Sequence, residues 1–382
     1  MKKITAYSLF ILLACFAISS SLLFKQYHKA EAKTKEYAST KLSPRTYSLE
    51  GKTITEKITV AAIGDILIHD WVYQDANKGN QYDFNPIFQP VKGMMETPDI
   101  LTANQESTLG GTEMGLSSYP MFNSPHEVAN ALVNAGVDIV STANNHALDK
   151  GEKGISSETN YLDSIGLPHV GSFIDKKDQD SLRIINKKGI KTAFLSYTYG
   201  TNGIPVPFGK DYLVNIINRA QMSEEIHRAR LQADVVIMSI HWGNEYQRFP
   251  TEDQKELARF LADQGADVIF GSHPHVLQPM EWIKAKDGRQ VLTVYSLGNF
   301  ISGQMRDYKD IGGMASIEIT KSVDHNGKRI QLSNPVFQPT FVAQQHLKNY
   351  RVVPLRQAGT FGFSEAAAKN IEIEKFMTQW LK

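Results

Sequence analysis

Asp267-Val268-Ile269-Phe270-Gly271-Ser272-His273-Pro274-His275 is the stretch from which the rest of the chain can be read. Its apolar residues make a run of strand length, and the segment before it, Glu252 to Asp263, has the spacing of an amphipathic helix. The run ends in two imidazoles separated by a proline. Histidines at i and i+2 after a buried strand point the same way, and packing alone seldom demands that arrangement. It suits a metal site.

The same pattern recurs on both sides. Ile58 to Ile63 reads as a strand stopping at Gly64-Asp65, with His69 four residues on. A second strand runs into Asn104-Gln105-Glu106. A helix over Glu127–Asn134 leads to Val137–Ser141 and then to Asn144-Asn145-His146. A helix over Met222–Gln232 precedes Asp234–Ser239, which continues into His241-Trp242-Gly243-Asn244-Glu245. Gln290–Tyr295 ends near Asn299, and Met314–Thr320 leads to a hairpin turn at Asp324–Lys328. Glu365–Leu381 reads as a closing helix. Near-continuous apolar strands alternating with helices predict the α/β class, with helices covering the sheets. In such folds functional groups gather where the carboxyl ends of strands open into loops.

Each element alone also has a structural reading. Gly64-Asp65 suits a turn with a capping aspartate, Asn144-Asn145-His146 a turn, Glu106 a solvated loop acid, and Trp242 a packed wall. Five strand ends supplying Asp, Glu, Asn and His are better explained by one shared centre. Imidazole, carboxylate and amide oxygen suit Mn, Zn or Fe. A carboxylate able to bridge predicts two divalent ions, with a histidine beside them as proton donor. His126, His169, His227, His325 and His346 lie outside these patterns and receive no role.

Composition narrows the function. The net charge of +1 over 382 residues gives no basic face for nucleic acid. Cys15, inside the N-terminal apolar run, is the single cysteine, so the rest of the chain has neither disulfide nor thiolate site. Lys2-Lys3 precede the apolar stretch Ile4–Phe24, and about 21 residues match a bilayer core of roughly 30 Å. Its length favours an uncleaved anchor. Ala30-Glu31-Ala32 offers a cleaved-signal alternative and Leu12-Leu13-Ala14-Cys15 a lipoprotein one. Lys25, Lys29, Lys33 and Lys35 outnumber Lys2 and Lys3, which by charge would hold the body inside. The secretion-like start and the cysteine-free body argue for outside, and a single-pass protein of the cell membrane with an extracytoplasmic body is expected.

In combination and order these motifs resemble the CapA (PgsA) poly-γ-glutamate capsule-synthesis family, a branch of the calcineurin-like metallophosphatase superfamily. The resemblance runs from about Val60 to Val323 and implies a four-layer α/β sandwich. Read along the chain, the segments are 1–24 as membrane anchor, 25–55 as a Lys- and Ser/Thr-rich flexible linker, 56–323 as the CapA-like domain and 324–382 as an extension closing it. By resemblance Asp65 and His275 hold a first metal, Glu106 bridges, and Asn145, His241 and His273 hold the second. His146 is then the general acid, and Asn144, Trp242 and Asn299 are expected to bind substrate. The superfamily's Asp-x-His opening is missing, since Leu67 stands two after Asp65, and His69 is the substitute ligand expected. The partners implied are poly-γ-glutamate synthase subunits and the polyanionic polymer. The process does not fix a reaction, and three functions compete: a hydrolase of phosphoester or γ-glutamyl-type bonds, a non-catalytic subunit binding polymer or synthase, and a surface phosphodiesterase unrelated to capsule.

Overall fold

The computed structural model describes residues 52–381, so the expected anchor Ile4–Phe24 and most of the linker lie outside the described residues. Among the described residues, no helix is long and apolar enough to cross a membrane.

The chain begins one sheet, leaves it for a second, and returns. The first sheet opens with β1 (Ile54–Leu67), β2 (Ile100–Gln105), β3 (Ile139–Ser141) and β4 (His169–Val170), all parallel. The second contains β5 (Arg183–Lys187), β6 (Ile190–Thr198), β7 (Val235–His241), β8 (Val268–Ser272), β9 (Leu277–Lys284) and β10 (Gln290–Leu297), in the order β5-β6-β7-β8-β10-β9. The return adds β11 (Asn299–Ser302), β12 (Ile311–Asp324), β13 (Gly327–Gln345) and β14 (Lys348–Pro354). The first sheet then reads β14-β13-β12-β1-β2-β3-β4, with β11 paired to the end of β1.

Alternation along the strands makes the layers. Ile58, Val60 and Ala62 of β1 join Ile237 of β7 and Val294 of β10 in a core between the two sheets. Ala61 and Ile63 face the other way and pack under α1 (Glu127–Ala135) and the short helical turns of residues 85–95. On the outside of the second sheet, Val236 and Met238 pack beneath α3 (Arg219–Gln232) and α4 (Glu252–Gln264). Helices thus cover both faces of a two-sheet sandwich, a mixed α/β architecture. Two further helices, α2 (Gly151–Ser164) and α5 (Ala366–Thr378), complete the longer ones.

The hairpin at Asp324–Gly327 forms where the sequence places it. The segment beyond it packs into the sandwich. β13 runs beside β12 from Gly327 to Phe341, and Ile373 and Met377 of α5 enter the core between the sheets.

Candidate metal centre

The parallel strands of both sheets end at one place, and their end residues are buried there. Asp65 is near the end of β1, and Glu106 follows β2 directly. Asn145 and His146 lie in the loop after β3. His241 ends β7, and His273 and His275 follow β8. Alternation along β2 points Asn104 and Glu106 to the centre and Gln105 away, where its amide donates to the Ser107 carbonyl at 2.6 Å. His273 and His275 both have left-handed backbone, with φ of 96° and 56°. Such conformations are costly for residues other than glycine and persist where surrounding structure imposes them.

Two ligand groups emerge, Glu106 with His273 and His275, and Asp65 with Glu106 and His241. Glu106 belongs to both, as a bridging carboxylate must. The pairings implied by resemblance are also in reach: His275 Nδ1 is 3.3 Å from Asp65 Oδ2, and His241 Nε2 is 2.9 Å from Asn145 Oδ1.

The fit to cations rests on polar atoms left without partners. Both Glu106 oxygens, Asp65 Oδ2 and His273 Nδ1 are buried and make no hydrogen bond. An uncompensated buried carboxylate costs several kcal/mol, so these atoms call for positive charge. Burial, reinforced by the Asp65 carboxylate, pushes the Glu106 carboxyl well above the ordinary range. Burial alone would lower His275, but Glu106 and Asp65 outweigh it and raise the imidazole to about 9. Burial and then the neighbouring His275 lower His273 to about 3, and burial with the other histidines holds His241 well below its usual value. The centre therefore holds protons that cations would displace, and keeps two imidazoles neutral as ligands require.

Surrounding groups fix the ligands. Ser272 Oγ lies 2.9 Å from His241 Nδ1, and Asn299 Oδ1 lies 3.0 Å from His275 Nδ1. Asn104 Nδ2 donates to Asp65 Oδ1 at 2.8 Å. Such partners orient ligands and select tautomers. His146 Nδ1 meets Asp149 Oδ2 at 2.7 Å, and that oxygen also accepts the Phe122 amide at 2.6 Å.

Several expected residues have different work. His69 is outside both ligand groups; its Nδ1 lies 3.2 Å from the Gly303 amide, its ring stacks on Trp71, and burial lowers it to about 4. Asn144, expected to bind substrate, ties its loop together: Nδ2 donates to the Gln105 carbonyl and Oδ1 accepts the His146 amide. Trp242 is buried with Nε1 donating to the Tyr295 carbonyl at 2.9 Å. Asn299 is engaged with His275, Gln304 and Lys309. Asn104 and Ser272 stand in the strand-end motifs without an assigned role, and Asp149 is not singled out there. Asp149 carried a signal, an acid three residues after a histidine in a tight loop; the others depend on contacts between distant segments.

Residues 59–304 match the family model described as bacterial capsule synthesis protein PGA_cap. The capsule biosynthesis protein CapA of Bacillus anthracis is 30% identical over 265 residues, covering 65% of this chain and 61% of that protein. The PGA biosynthesis protein CapA of Bacillus subtilis is 28% identical over 269 residues, covering 66% of each. The alignments thus span less than two thirds of these relatives' lengths. Among solved structures, the NAD nucleotidase of Haemophilus influenzae superposes with TM-score 0.48 at 13% identity, over 85% of this chain and 64% of that one. A 5'-nucleotidase precursor of Thermus thermophilus gives TM-score 0.46 at 13% identity, over 74% and 54%. These superpositions assign no residue a role. The family match covers well over half the chain and takes in every ligand position described above, and the chain belongs to the bacterial capsule synthesis protein (PGA_cap) family.

Proposed function

We propose that this protein is a membrane-anchored, extracytoplasmic component of poly-γ-glutamate capsule synthesis or export whose centre is a metal-dependent hydrolase site. The observation that carries the hydrolase reading is Glu106, fully buried, without a hydrogen-bond partner for either oxygen, and common to two ligand groups. The family match and the two Bacillus relatives support the capsule process. The apolar run Ile4–Phe24 supports the anchor.

In this reading Asp65, Glu106 and His275 hold one divalent ion, and Glu106, Asn145, His241 and His273 the other. When bound, the ions supply Lewis acidity toward a phosphoryl or carbonyl oxygen and lower the pKa of water. His146 serves as general acid: hydroxide adds to phosphorus or carbonyl carbon while the imidazole protonates the departing oxygen or nitrogen. Asp149 holds the His146 ring by Nδ1. The His146–Asp149 pair favours turnover over a purely binding role, because a polymer-binding surface has no use for an oriented acid.

The test uses purified full-length protein, metal analysis and an aryl phosphodiester. About two ions per chain are expected, and His146→Ala should keep them while losing roughly 10²–10⁴ in rate. Equal rates for wild type and His146→Ala at equal loading would remove the catalytic reading and leave the polymer- or synthase-binding subunit. Asp149→Asn should lower kcat by about tenfold or more while KM and metal content stay as in wild type, since the ring loses the partner that orients it. A matching fall in metal content or melting temperature would make Asp149 a purely structural residue.

A further inference from the structure

β6 also ends at the centre, although neither an acid nor a histidine marks its end. It pairs in parallel with β7, and its last residue, Thr198, stands opposite His241. The Tyr199 amide donates to the His241 carbonyl at 3.0 Å, and the centre of the Tyr199 ring is 4.7 Å from that of His273 and 6.2 Å from that of His241. The chain then turns back at once. The Ile204 amide donates to the Thr201 carbonyl at 2.9 Å, with φ of 51° at Asn202 and 78° at Gly203. Two positive φ values inside one hydrogen-bonded turn define type I′, for which Asn-Gly is a favoured pair. Thr201 Oγ1 donates to the Ile204 carbonyl at 2.6 Å and ties the turn shut.

The turn explains an asparagine at 202 and would accept a glycine equally well. It does not explain where the side chain goes. Asn202 Oδ1 accepts a hydrogen bond from Asn145 Nδ2 at 3.2 Å, and Asn202 Nδ2 lies 3.4 Å from His146 Nδ1. The contact with His146 is the weaker, because Nδ1 of that ring is engaged with Asp149 Oδ2 at 2.7 Å. The contact with Asn145 has a chemical consequence. A carboxamide presents an oxygen and an NH2 group of nearly equal shape, and only the oxygen has lone pairs for a cation. Asn145 Oδ1 faces His241 Nε2 at 2.9 Å, inside the centre, while its NH2 group is held by Asn202 on the outer side. A flipped Asn145 would set its oxygen against the Asn202 oxygen and turn N–H groups toward the ligand cluster.

We infer that Asn202 is a positioning residue of the metal centre, holding the Asn145 carboxamide with its oxygen toward the second ion. The inference deepens the two-ion reading proposed above and rests on it. Metal binding tests it without turnover.

The experiment is calorimetric titration of chelator-treated full-length protein with Zn²⁺. Wild type shows two binding events. Asn202→Gly removes the side chain and keeps the turn, since glycine takes positive φ without strain. It weakens one event by about 10–100-fold, the range for loss of a residue that orients a ligand, and leaves the other in place. Asn202→Asp restores the weakened event, because a carboxylate oxygen also accepts the Asn145 NH2 group and tolerates the same backbone. Chelated melts of both variants match wild type. Two undisturbed events in Asn202→Gly overturn the inference and leave Asn202 a turn residue. So does an equal weakening of both events or a lower chelated melt, either of which would mean a loosened fold rather than a misdirected amide. A failure of Asn202→Asp to restore binding overturns it too. Fewer than two events in wild type remove the two-ion reading and this inference with it. Two events in wild type without hydrolysis of an aryl phosphodiester, with the variants as expected, leave Asn202 its role and remove the catalytic reading alone.

Discussion

Glu106→Gln is expected to cost more than about a hundredfold in metal affinity, with little or no ion retained after dialysis. Even residues that only orient a ligand typically cost 10–100-fold, and Glu106 is shared by both ligand groups. The same change should act oppositely on the metal-free fold. The Glu106 carboxyl is raised well above the ordinary carboxyl range by burial and by Asp65. A raised carboxyl contributes stability that is complete below its unfolded value and is lost as pH rises toward the folded one. His275, raised from 6.5 to about 9, behaves the same way, losing its contribution across that interval. Chelated wild type should therefore melt at progressively lower temperature as pH climbs from the carboxyl range to about 9. In Glu106→Gln the slope should flatten, since the amide carries no proton to lose and no longer holds the charge on His275. Melts of chelated and metal-loaded protein across pH check both signs. A variant that binds two ions, or a wild type whose chelated melts do not fall with pH, contradicts this account.

Gly64→Ala should be the most damaging single methyl group in the described chain. A Cβ at Gly64 would lie 1.9 Å from the Gly298 carbonyl oxygen and 2.8 Å from that of Leu297. Both atoms are backbone, so no side chain can swing aside. The Gly298 oxygen also accepts the Asp65 amide at 2.8 Å, and Asn299, which steadies His275, is the next residue. Relief of the clash must separate β1 from the start of β11 and carry Asp65 and His275 apart. Overpacking usually costs about 1–3 kcal/mol, and an immovable backbone places this case at or above the upper end. In a domain of this size that is a fall in Tm of about 4 °C or more, with loss of metal stoichiometry in whatever folds. A melt within a degree or two of wild type would show that the strands yield more easily than their contact distance implies.

Legibility in the sequence followed burial. Strands with apolar residues on both faces, such as Val235–His241 and Val268–Ser272, were read nearly to their ends. Strands exposed on one side or at an edge were not. β1 begins four residues before its apolar run, because Glu56 and Lys57 pair with β12 in a solvated ribbon. The β5–β6 hairpin opens on the charged, half-exposed Arg183–Lys187. The 19-residue β13 carries Pro335 and Pro339, which argue against a strand until its pairing is seen. α2 escaped notice because its buried face includes Gly154, Glu158 and Thr159 rather than a row of large apolar residues.

The candidate centre was legible as a set because each strand announced its own end with unusual residues. Its supporting shell was not. Ser272 reaches His241 across 31 residues and Asn104 reaches Asp65 across 39, distances over which local pattern carries no information. His69, four residues after Asp65 in sequence, lies against Gly303 and Trp71, a contact that depends on the return of β11.

The ligands come from both sheets: Asp65, Glu106 and Asn145 from one, His241, His273 and His275 from the other. An ion held between them is a removable cross-link in a domain whose sequence beyond Cys15 has no cysteine with which to make a permanent one. Each bound ion at a thousand times its Kd would add about 4 kcal/mol to the fold. The mechanical integrity of the sandwich would then follow the local supply of free divalent metal.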